Sequence, residues 1–169
     1  HTSNSFEIDD NLEVNKKINI LEKYNICIYD NLNDAIKEFN PDIAIIATPS
    51  NSHGKLALEA LKNGIHVFLE KPITTNNKDL DKISKFLKDS NKKLSINYMM
   101  RYHPMFVKLR FMINNNLVGK ILSAQFTHNS YFPTWHKYEK FQDLYAGKNT
   151  LGGGTILTNV HMIDSIYAL

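Results

Sequence analysis

Polar side chains that could bind a ligand or move a proton follow two apolar segments near the middle of the chain. Residues 48–53 come after the first segment, and residues 70–72 come after the second. Short polar side chains and free backbone N–H groups at a strand end and helix start suit the oxygens of ribose and phosphate. Lys71 precedes Pro72, which keeps the next residues out of a helix and holds the lysine at the mouth of any crevice there. The residue types therefore favour a site for a ligand that carries ribose and phosphate.

A strand, a helix and a second strand are predicted to position these two clusters. Residues 43–47 and 65–69 are short apolar runs without polar alternation, as expected of parallel strands buried on both faces. Residues 55–62 carry apolar side chains at helical spacing, and Gly64 suits the left-handed residue that follows a helix. Open α/β sheets bind ligands beyond the carboxyl ends of their strands. The two polar clusters should therefore share one crevice.

Further helices are predicted on both sides of this unit. They are expected over residues 11–24 and 104–114, and after asparagine caps at Asn31 or Asn33 and at Asn76 or Asn77. One of Ser50, Asn51 and Ser52 is expected to cap the central helix in the same way.

Three more strands are predicted from apolar runs and from alternation. Residues 26–29 and 94–98 are short apolar runs, and the single Cys27 in the first of them is expected to be a buried, inert thiol. From Gly119 the pattern has a period of two, which predicts a half-exposed antiparallel strand over residues 119–129. A nucleotide-binding part should therefore end near Val118, with a sheet-based second domain after it.

The ordered motifs of the chain resemble the nicotinamide-dependent glucose–fructose oxidoreductase/inositol dehydrogenase/MocA family. They are Ala-Thr-Pro-Ser-Asn-Ser-His, Leu-Glu-Lys-Pro-Ile, the segment from Asn97 to Pro104, Gly119-Lys-Ile, the glycines 152–154 and His161-Met-Ile-Asp. The resemblance implies an α/β fold, in which residues 1–118 form part of a Rossmann-type doubly wound parallel sheet. Residues 119–169 would begin an α+β substrate and oligomerisation domain with an antiparallel sheet. The implied cofactor is NAD or NADP, and a homo-oligomer through the C-terminal sheet is expected.

The resemblance also implies roles for individual residues. Lys71 would meet the substrate hydroxyl or carbonyl, and the Lys71–Pro72 peptide bond would be cis. Glu70 would fix the lysine, contact the nicotinamide ribose or remain a plain surface carboxylate, and a guanidinium at Arg101 would suit an anionic group. The implied cofactor-binding residues are Thr48, Pro49, Asn51, His53, Glu70, Lys71, Asn97 and Arg101.

A histidine after the glycine segment is the predicted base. Thr158, His161 and Ser165 should share one helix face at three- and four-residue spacing. Many relatives carry an aspartate where Thr158 stands, so an Asp–His relay is not expected, although Thr158 could orient the ring by a hydrogen bond. Lys71 and His161 are then the predicted catalytic pair. Asp164 is favoured as a structural partner of the helix.

An aromatic, polar loop before the glycines is predicted to contact the substrate. It holds Trp135, His136 and Tyr145, and such loops commonly cover the face of a sugar, although packing of Trp135 within the loop is an open alternative. The Trp135-His-Lys-Tyr-Glu139 segment resembles the branch of the family associated with sugar and surface-polysaccharide metabolism. With Thr158, these residues form the predicted substrate set, and the expected substrate is a sugar, polyol or nucleotide sugar.

Composition and charge exclude several other classes. The 169 residues are 43% hydrophobic and 22% charged with a net charge of +3, which is too mild to indicate a nucleic-acid partner. No signal peptide or membrane span is evident in the sequence, so a cytoplasmic protein without a membrane partner is expected. No His, Cys or carboxylate set has the spacing of metal ligands.

The sequence lacks the glycine-rich turn that binds the phosphates of a dinucleotide. No G-x-G-x-x-G occurs in the sequence, and the chain stops within an apolar helical pattern, so we expect an internal fragment that is itself inactive. A dehydratase-like or reductase member of the family is the alternative enzyme. A non-catalytic dinucleotide-binding sensor and a structural fragment are the alternatives from other classes.

Overall fold

The chain is described by a computed structural model that covers residues 6–8, 14–17, 20–136 and 140–169. It divides into two compact units. The first comprises His1–Pro41 and Tyr131–Leu144, and the second comprises Asp42–Ser130 and Tyr145–Leu169. The boundary predicted after residue 118 stays a prediction.

The first unit begins with a hairpin rather than a helix. Strand β1 (Phe6–Ile8) pairs antiparallel with β2 (Val14–Lys17), and helices α1 (Ile20–Tyr24) and α2 (Leu32–Phe39) follow. The helix predicted over residues 11–24 is therefore wrong at Val14–Lys17 and confirmed at Ile20–Tyr24, and residues 11–13 and 18–19 of that prediction lie outside the described residues. The apolar positions were only loosely helical in spacing, and β-branched Val14 favours a strand once a partner strand is present.

The segment before α2 also differs from its prediction. Residues 26–29 form no strand, because none of the described strands pairs with them and a strand needs a neighbour to accept its backbone hydrogen bonds. Cys27 is exposed, so the expectation of a buried thiol is wrong. The cap predicted at Asn31 is confirmed, because its side-chain oxygen accepts the Asp34 N–H at 2.9 Å.

The second unit contains the predicted strand–helix–strand arrangement. Strands β3 (Ile43–Ile46), β4 (His66–Leu69) and β5 (Leu94–Ile96) form a parallel sheet in the order β3-β4-β5. Helix α3 (Ser50–Lys62) connects the first two strands, and α4 (Asn77–Lys88) connects the second and third. This is a Rossmann-like α/β sheet, as predicted. Gly64 follows α3 with a φ of 79°, which confirms its left-handed conformation.

The described residues cover one face of this sheet. Helix α3 contacts β3, β4 and α4, and the buried apolar side chains of the sheet and helices are Ile46, Val67, Leu69, Ala57, Ala60, Leu61 and Ile83. The opposite face is open, with Ile43 60% exposed and Ile45 76% exposed. The prediction that residues 43–47 are buried on both faces is therefore wrong in this structure.

The chain beyond β5 builds one more long helix and a series of short turns. A 3₁₀ turn (Met99–Tyr102) precedes α5 (Pro104–Asn114), whose bounds match the predicted helix. Two 3₁₀ turns (Tyr145–Gly147 and Asn149–Leu151) then lead to α6 (Thr155–Thr158) and α7 (Val160–Ala168). Among the helices of the described ranges, none is long and apolar enough to cross a membrane.

The strand predicted over residues 119–129 is absent. Residues 121–130 carry no strand or helix assignment, and Leu122 is 87% exposed. The alternation is present in the sequence, but no described strand lies beside it to complete a ladder of hydrogen bonds. The alternating pattern indicates a tendency of these residues to form a β-strand, but they form none in the described structure.

Helix α4 offers a test of this fold through its cap. The Asn76 side-chain oxygen accepts the Asp79 N–H at 2.9 Å, so Asn76→Ala should lower the free energy of unfolding by about 1 kcal/mol. The matched control is Asn77→Ala, since Asn77 is exposed on the first turn and does not occupy the cap. Urea denaturation of both variants measures the difference. Equal losses would contradict the assigned helix start.

Candidate functional site

The carboxyl ends of the three parallel strands place the predicted residues at one sheet edge. The Glu70 N–H donates to the Ile46 carbonyl at 2.9 Å, and the Asn97 N–H donates to the Leu69 carbonyl at 2.8 Å. The hydrogen-bond ladder thus continues one residue beyond β4 and β5. Glu70 and Asn97 are fixed there by backbone hydrogen bonding, and Lys71 directly follows Glu70.

The His53 ring lies between the two polar clusters and contacts a backbone oxygen of each. Its ring is 1% exposed, with Nδ1 2.7 Å from the Pro72 carbonyl oxygen and Nε2 2.8 Å from the Thr48 carbonyl oxygen. The two clusters therefore lie next to each other, while the crevice expected between them stays a prediction. The Lys71–Pro72 peptide bond is cis, as the resemblance implied. The structure places His53 beneath the two loops, where both ring nitrogens face backbone oxygens.

The first cluster is organised by hydroxyl contacts at the start of α3. Thr48 Oγ1 lies 2.6 Å from Ser52 Oγ, and the Ser52 hydroxyl donates to the Pro49 carbonyl at 2.8 Å. Pro49 occupies the cap position and has no side-chain acceptor, so the expected cap by Ser50, Asn51 or Ser52 is wrong. The helix begins one position earlier than a polar cap would require.

The glycine segment rests on this helix start. Asn51 Nδ2 donates to the Thr150 carbonyl at 2.8 Å. Gly152 has a φ of 81°, and a Cβ there would lie 2.9 Å from the Asn51 backbone nitrogen, which no side chain could accommodate without movement. Gly153 packs in the same way against the backbone oxygens of Tyr145 and Ala146. The half-buried Tyr145 therefore supports the glycine segment through its main chain.

Lys71 follows the end of β4, and its side chain reaches Thr158, the last residue of α6. Its Nζ donates to the Thr158 carbonyl at 2.8 Å, and the side chain is half-buried. Burial lowers the pKa of Lys71, and the nearby Glu70 carboxylate partly opposes that change. Asn97 Nδ2 donates to Glu70 Oε1 at 2.6 Å, so Glu70 is a bonded member of the site rather than a plain surface carboxylate.

His161 lies on α7 and responds to the charge of Lys71. Burial is the main cause that lowers its pKa below the ordinary 6.5, and the Lys71 charge acts in the same direction. Glu70 and Asp164 oppose both effects. The predicted pair is thus close enough to interact electrostatically, and the imidazole is neutral at pH 7.

The hydrogen bond expected between Thr158 and His161 does not form. Among the described residues, neither Thr158 Oγ1 nor His161 Nδ1 has a hydrogen-bond partner, although both atoms are buried. The expectation assumed one continuous helix, whereas α6 ends at Thr158 and α7 starts at Val160. Thr158 contributes its carbonyl oxygen to Lys71 instead.

An ion pair that sequence reasoning missed lies beside His161. Arg101 donates to both carboxylate oxygens of Asp164, with Nε–Oδ2 at 2.7 Å and Nη2–Oδ1 at 2.5 Å. The structural role favoured for Asp164 agrees with this contact. The two residues are 63 positions apart, so no local spacing could have paired them. The cofactor role of Arg101 stays a prediction, with two of its donors used on Asp164.

The predicted aromatic contacts belong to the first unit. Trp135 packs edge-to-face on Phe132 at a centroid distance of 5.0 Å, and Phe132 meets Phe141 at 6.1 Å. These contacts agree with the alternative in which Trp135 packs within its own loop. The substrate roles of Trp135 and His136 stay predictions, and residues 137–139 of the motif lie outside the described residues.

The side chains near Lys71 and His161 fit a polar ligand. The buried His161 Nδ1 and Thr158 Oγ1 lack hydrogen-bond partners within the part of the chain that the structure describes, and Lys71 brings a half-buried ammonium close to them. Such groups are stable next to a ligand that supplies donors and acceptors. In the same ranges, no three His, Cys, Asp or Glu side chains gather as metal ligands.

Comparison with protein families gives the same interpretation. Residues 8–98 match the model of the Gfo/Idh/MocA oxidoreductase family, which has an NAD-binding Rossmann fold. The chain belongs to this family. The resemblance inferred from the ordered motifs and the expected nicotinamide cofactor are both confirmed.

Individual relatives extend well beyond this chain. Oxidoreductase P35 of Formosa agariphila is 35% identical over 80 residues, which are 47% of this chain and 25% of that protein. The myo-inositol 2-dehydrogenase structure from Lactobacillus plantarum is 29% identical with a TM-score of 0.52, over 55% of this chain and 28% of that one. The WlbA dehydrogenase of Bordetella pertussis, solved with NADH and UDP-GlcNAcA, is 25% identical with a TM-score of 0.56, over 60% and 29% of the two chains. The chain therefore spans less than a third of each of these three relatives.

The lowered pKa of His161 predicts how stability depends on pH. Because the unfolded chain binds the proton at an ordinary pKa of 6.5 and the folded chain binds it less readily, the free energy of unfolding should fall as pH drops below 6.5. His161→Asn should remove this part of the acid sensitivity, as measured by urea midpoints at neutral and mildly acidic pH. His128→Asn, at an exposed position, is the control and should keep the parent's dependence. Identical pH dependence in the parent and His161→Asn would contradict the assignment.

Proposed function

We propose that this protein acts in the NAD(P)-dependent transfer of a hydride to or from a hydroxyl-bearing carbon of a sugar, polyol or nucleotide sugar. The observation that carries the proposal is the meeting of Lys71 and His161 at the carboxyl edge of the sheet. The neutral imidazole can accept the hydroxyl proton and the half-buried ammonium can stabilise the resulting oxyanion, while the hydride would go to the nicotinamide. The buried His161 Nδ1 lacks a hydrogen-bond partner among the described residues.

The substrate class is supported by the relatives. One solved relative is a myo-inositol 2-dehydrogenase, and another was solved with UDP-GlcNAcA as well as NADH. Both names describe ligands with rings that carry several hydroxyl groups. A site with one amine donor and one imidazole acceptor suits a single hydroxyl on such a ring.

The chemistry divides between two side chains. In the oxidation direction, His161 accepts the hydroxyl proton, because its lowered pKa keeps the ring neutral at pH 7. Lys71 donates to the same oxygen and stabilises the negative charge that develops there, an interaction that gains strength with partial burial. The Thr158 carbonyl orients the amine before substrate arrives. In reduction the same groups act in reverse.

The cofactor would lie along the sheet edge. Thr48, Pro49 and the bonded Glu70–Asn97 pair are the side chains that would hold it, and His53 would keep the two loops in place beneath. When bound, the nicotinamide supplies the acceptor or donor of the hydride. A turnover screen of the full-length protein with polyols and nucleotide sugars, in the presence of NAD or NADP, tests the proposal. Tight cofactor binding without turnover of any substrate would favour the dinucleotide sensor instead.

Lys71→Met should reduce kcat about 10²- to 10³-fold, which is the usual cost of losing one donor to a developing oxyanion. The affinity for the dinucleotide should stay within a few-fold of the parent, as measured by fluorescence titration of the reduced cofactor. Lys55→Met, at an exposed position on α3, is the matched control and should keep both parameters. Loss of cofactor binding with an intact chemical step would reverse the role assigned to Lys71.

His161→Asn should reduce the oxidation rate by roughly 10²- to 10⁴-fold, the usual range for a positioned acid–base group. In the parent, kcat/KM should rise with pH through an ionisation below the ordinary value of 6.5, because burial and Lys71 lower the pKa of the ring. The variant should lack that ionisation, and His128→Asn should keep it. A variant profile with the parent's shape would show that another group is the base.

A further inference from the structure

Three side chains near His161, those of Tyr98, Arg101 and Asp164, are linked to one another by contacts. Arg101 and Asp164 make the bidentate ion pair described above, in which the Asp164 side chain is 6% exposed and that of Arg101 is 37% exposed. The Arg101 guanidinium also lies over the Tyr98 ring, 5.4 Å from its centroid. The Tyr98 ring in turn meets the His161 ring edge-to-face at 6.4 Å. Asp164 follows His161 by three positions on α7.

The backbone that carries Arg101 is itself held in place. Arg110 Nη2 on α5 donates to the Arg101 carbonyl at 3.4 Å, and the Arg101 N–H donates to the Tyr98 carbonyl at 3.0 Å. The 3₁₀ turn therefore presents the guanidinium from the end of β5. The ion pair ties α7, a helix of the last part of the chain, to the strand that ends at the candidate site.

His161 depends on such support, because hydrogen bonds to its ring do not supply it. Its Nδ1 has no hydrogen-bond partner within the described ranges, and the Ser165 hydroxyl bonds only to its backbone carbonyl. The orientation of the imidazole then comes from the helix beneath it and from the Tyr98 edge beside it. Arg101 contacts both of these features, through Asp164 on the helix and through the Tyr98 ring.

We propose that the Arg101–Asp164 ion pair, together with Tyr98, is the device that positions the His161 imidazole for catalysis. Arg101 and Asp164 act through His161 and do not touch the substrate, so they are positioning residues. This inference rests on the proposed function of His161 as base. It explains how a histidine without a hydrogen-bonded orienting side chain can hold one position.

The charges that face His161 make the proposal separable from a purely structural role. Lys71 lowers the pKa of His161, whereas Glu70 and Asp164 raise it. Asp164→Asn removes a negative charge and should move the His161 titration to lower pH. Arg101→Met leaves the Asp164 carboxylate without its cation and should move the titration to higher pH. Two variants that break the same ion pair should therefore shift the pKa of His161 in opposite directions.

The titration can be followed by NMR of the ¹⁵N-labelled imidazole in the protein, with the His161 signal assigned by its absence in His161→Asn. Lys108→Met on α5 and Asp81→Asn on α4 make the same charge changes at exposed positions and should leave the signal within experimental error of the parent. Opposite shifts in the two test variants support the proposal. An unmoved His161 signal in both would overturn it. This readout needs no turnover, so it remains decisive if the protein oxidises none of the substrates tried.

Removing Arg101 would leave the buried Asp164 carboxylate without its partner and could prevent folding, so a double variant gives a second route. Arg101→Met/Asp164→Leu replaces the pair by apolar side chains and conserves net charge, a change that buried sites often tolerate. Its melting temperature should stay close to that of the parent, whereas kcat for polyol oxidation should fall 10- to 100-fold with the KM for the polyol nearly unchanged. A folded double variant with the parent's kcat would overturn the proposal.

Discussion

The site depends on one buried imidazole that is not part of the proposed chemistry. His53 faces the Thr48 and Pro72 carbonyl oxygens from the first turn of α3, so two loops from different strands share a single anchor. A carbonyl buried without a partner costs roughly 1–3 kcal/mol, and this ring lies within reach of two of them. The positions of Thr48 and Lys71 relative to each other follow from that contact. The buried ring of His53 therefore links the two polar loops at this edge of the sheet.

Electrostatic effects give the two candidate catalytic groups, Lys71 and His161, different roles. Both Lys71 and His161 are partly buried, and burial disfavours the charged form of each. The carboxylates of Glu70 and Asp164 limit that effect, and each is held by its own partner, Asn97 for the first and Arg101 for the second. Lys71 and His161 are both basic side chains, and they can lie close together because the His161 imidazole is neutral at pH 7. The division follows from burial and requires no aspartate in hydrogen-bond contact with the histidine ring.

Local patterns predicted the elements that are stabilised locally. Helix α5 has the predicted bounds, α4 follows one of the two asparagine caps proposed for it, and Gly64 adopts its left-handed conformation. Lys71, Glu70 and Asn97 were also predicted at one edge, because parallel strands align their carboxyl ends. For the two helices and for Gly64, a few neighbouring residues determine the local conformation. For the sheet edge, the general geometry of parallel strands was enough.

Features that need a distant partner were predicted poorly. Residues 26–29 and 119–129 read as strands, yet a strand forms only where another strand accepts its hydrogen bonds, and no described strand does so for either. The hairpin at β1 and β2 was missed for the complementary reason, since its partner was present and not recognised. The Arg101–Asp164 pair and the contact of Lys71 with the Thr158 carbonyl join residues that only the folded chain brings together.

The contact of Gly152 with the start of α3 has a consequence for how this site can vary among related sequences. With the Asn51 nitrogen only 2.9 Å from where a Cβ would lie, the gap between the glycine segment and the helix admits hydrogen and nothing larger. Gly152 therefore fixes how closely the glycine segment approaches α3. Any residue with a Cβ at this position would require the two backbone segments to move apart. Related sequences that keep this packing should therefore keep glycine here.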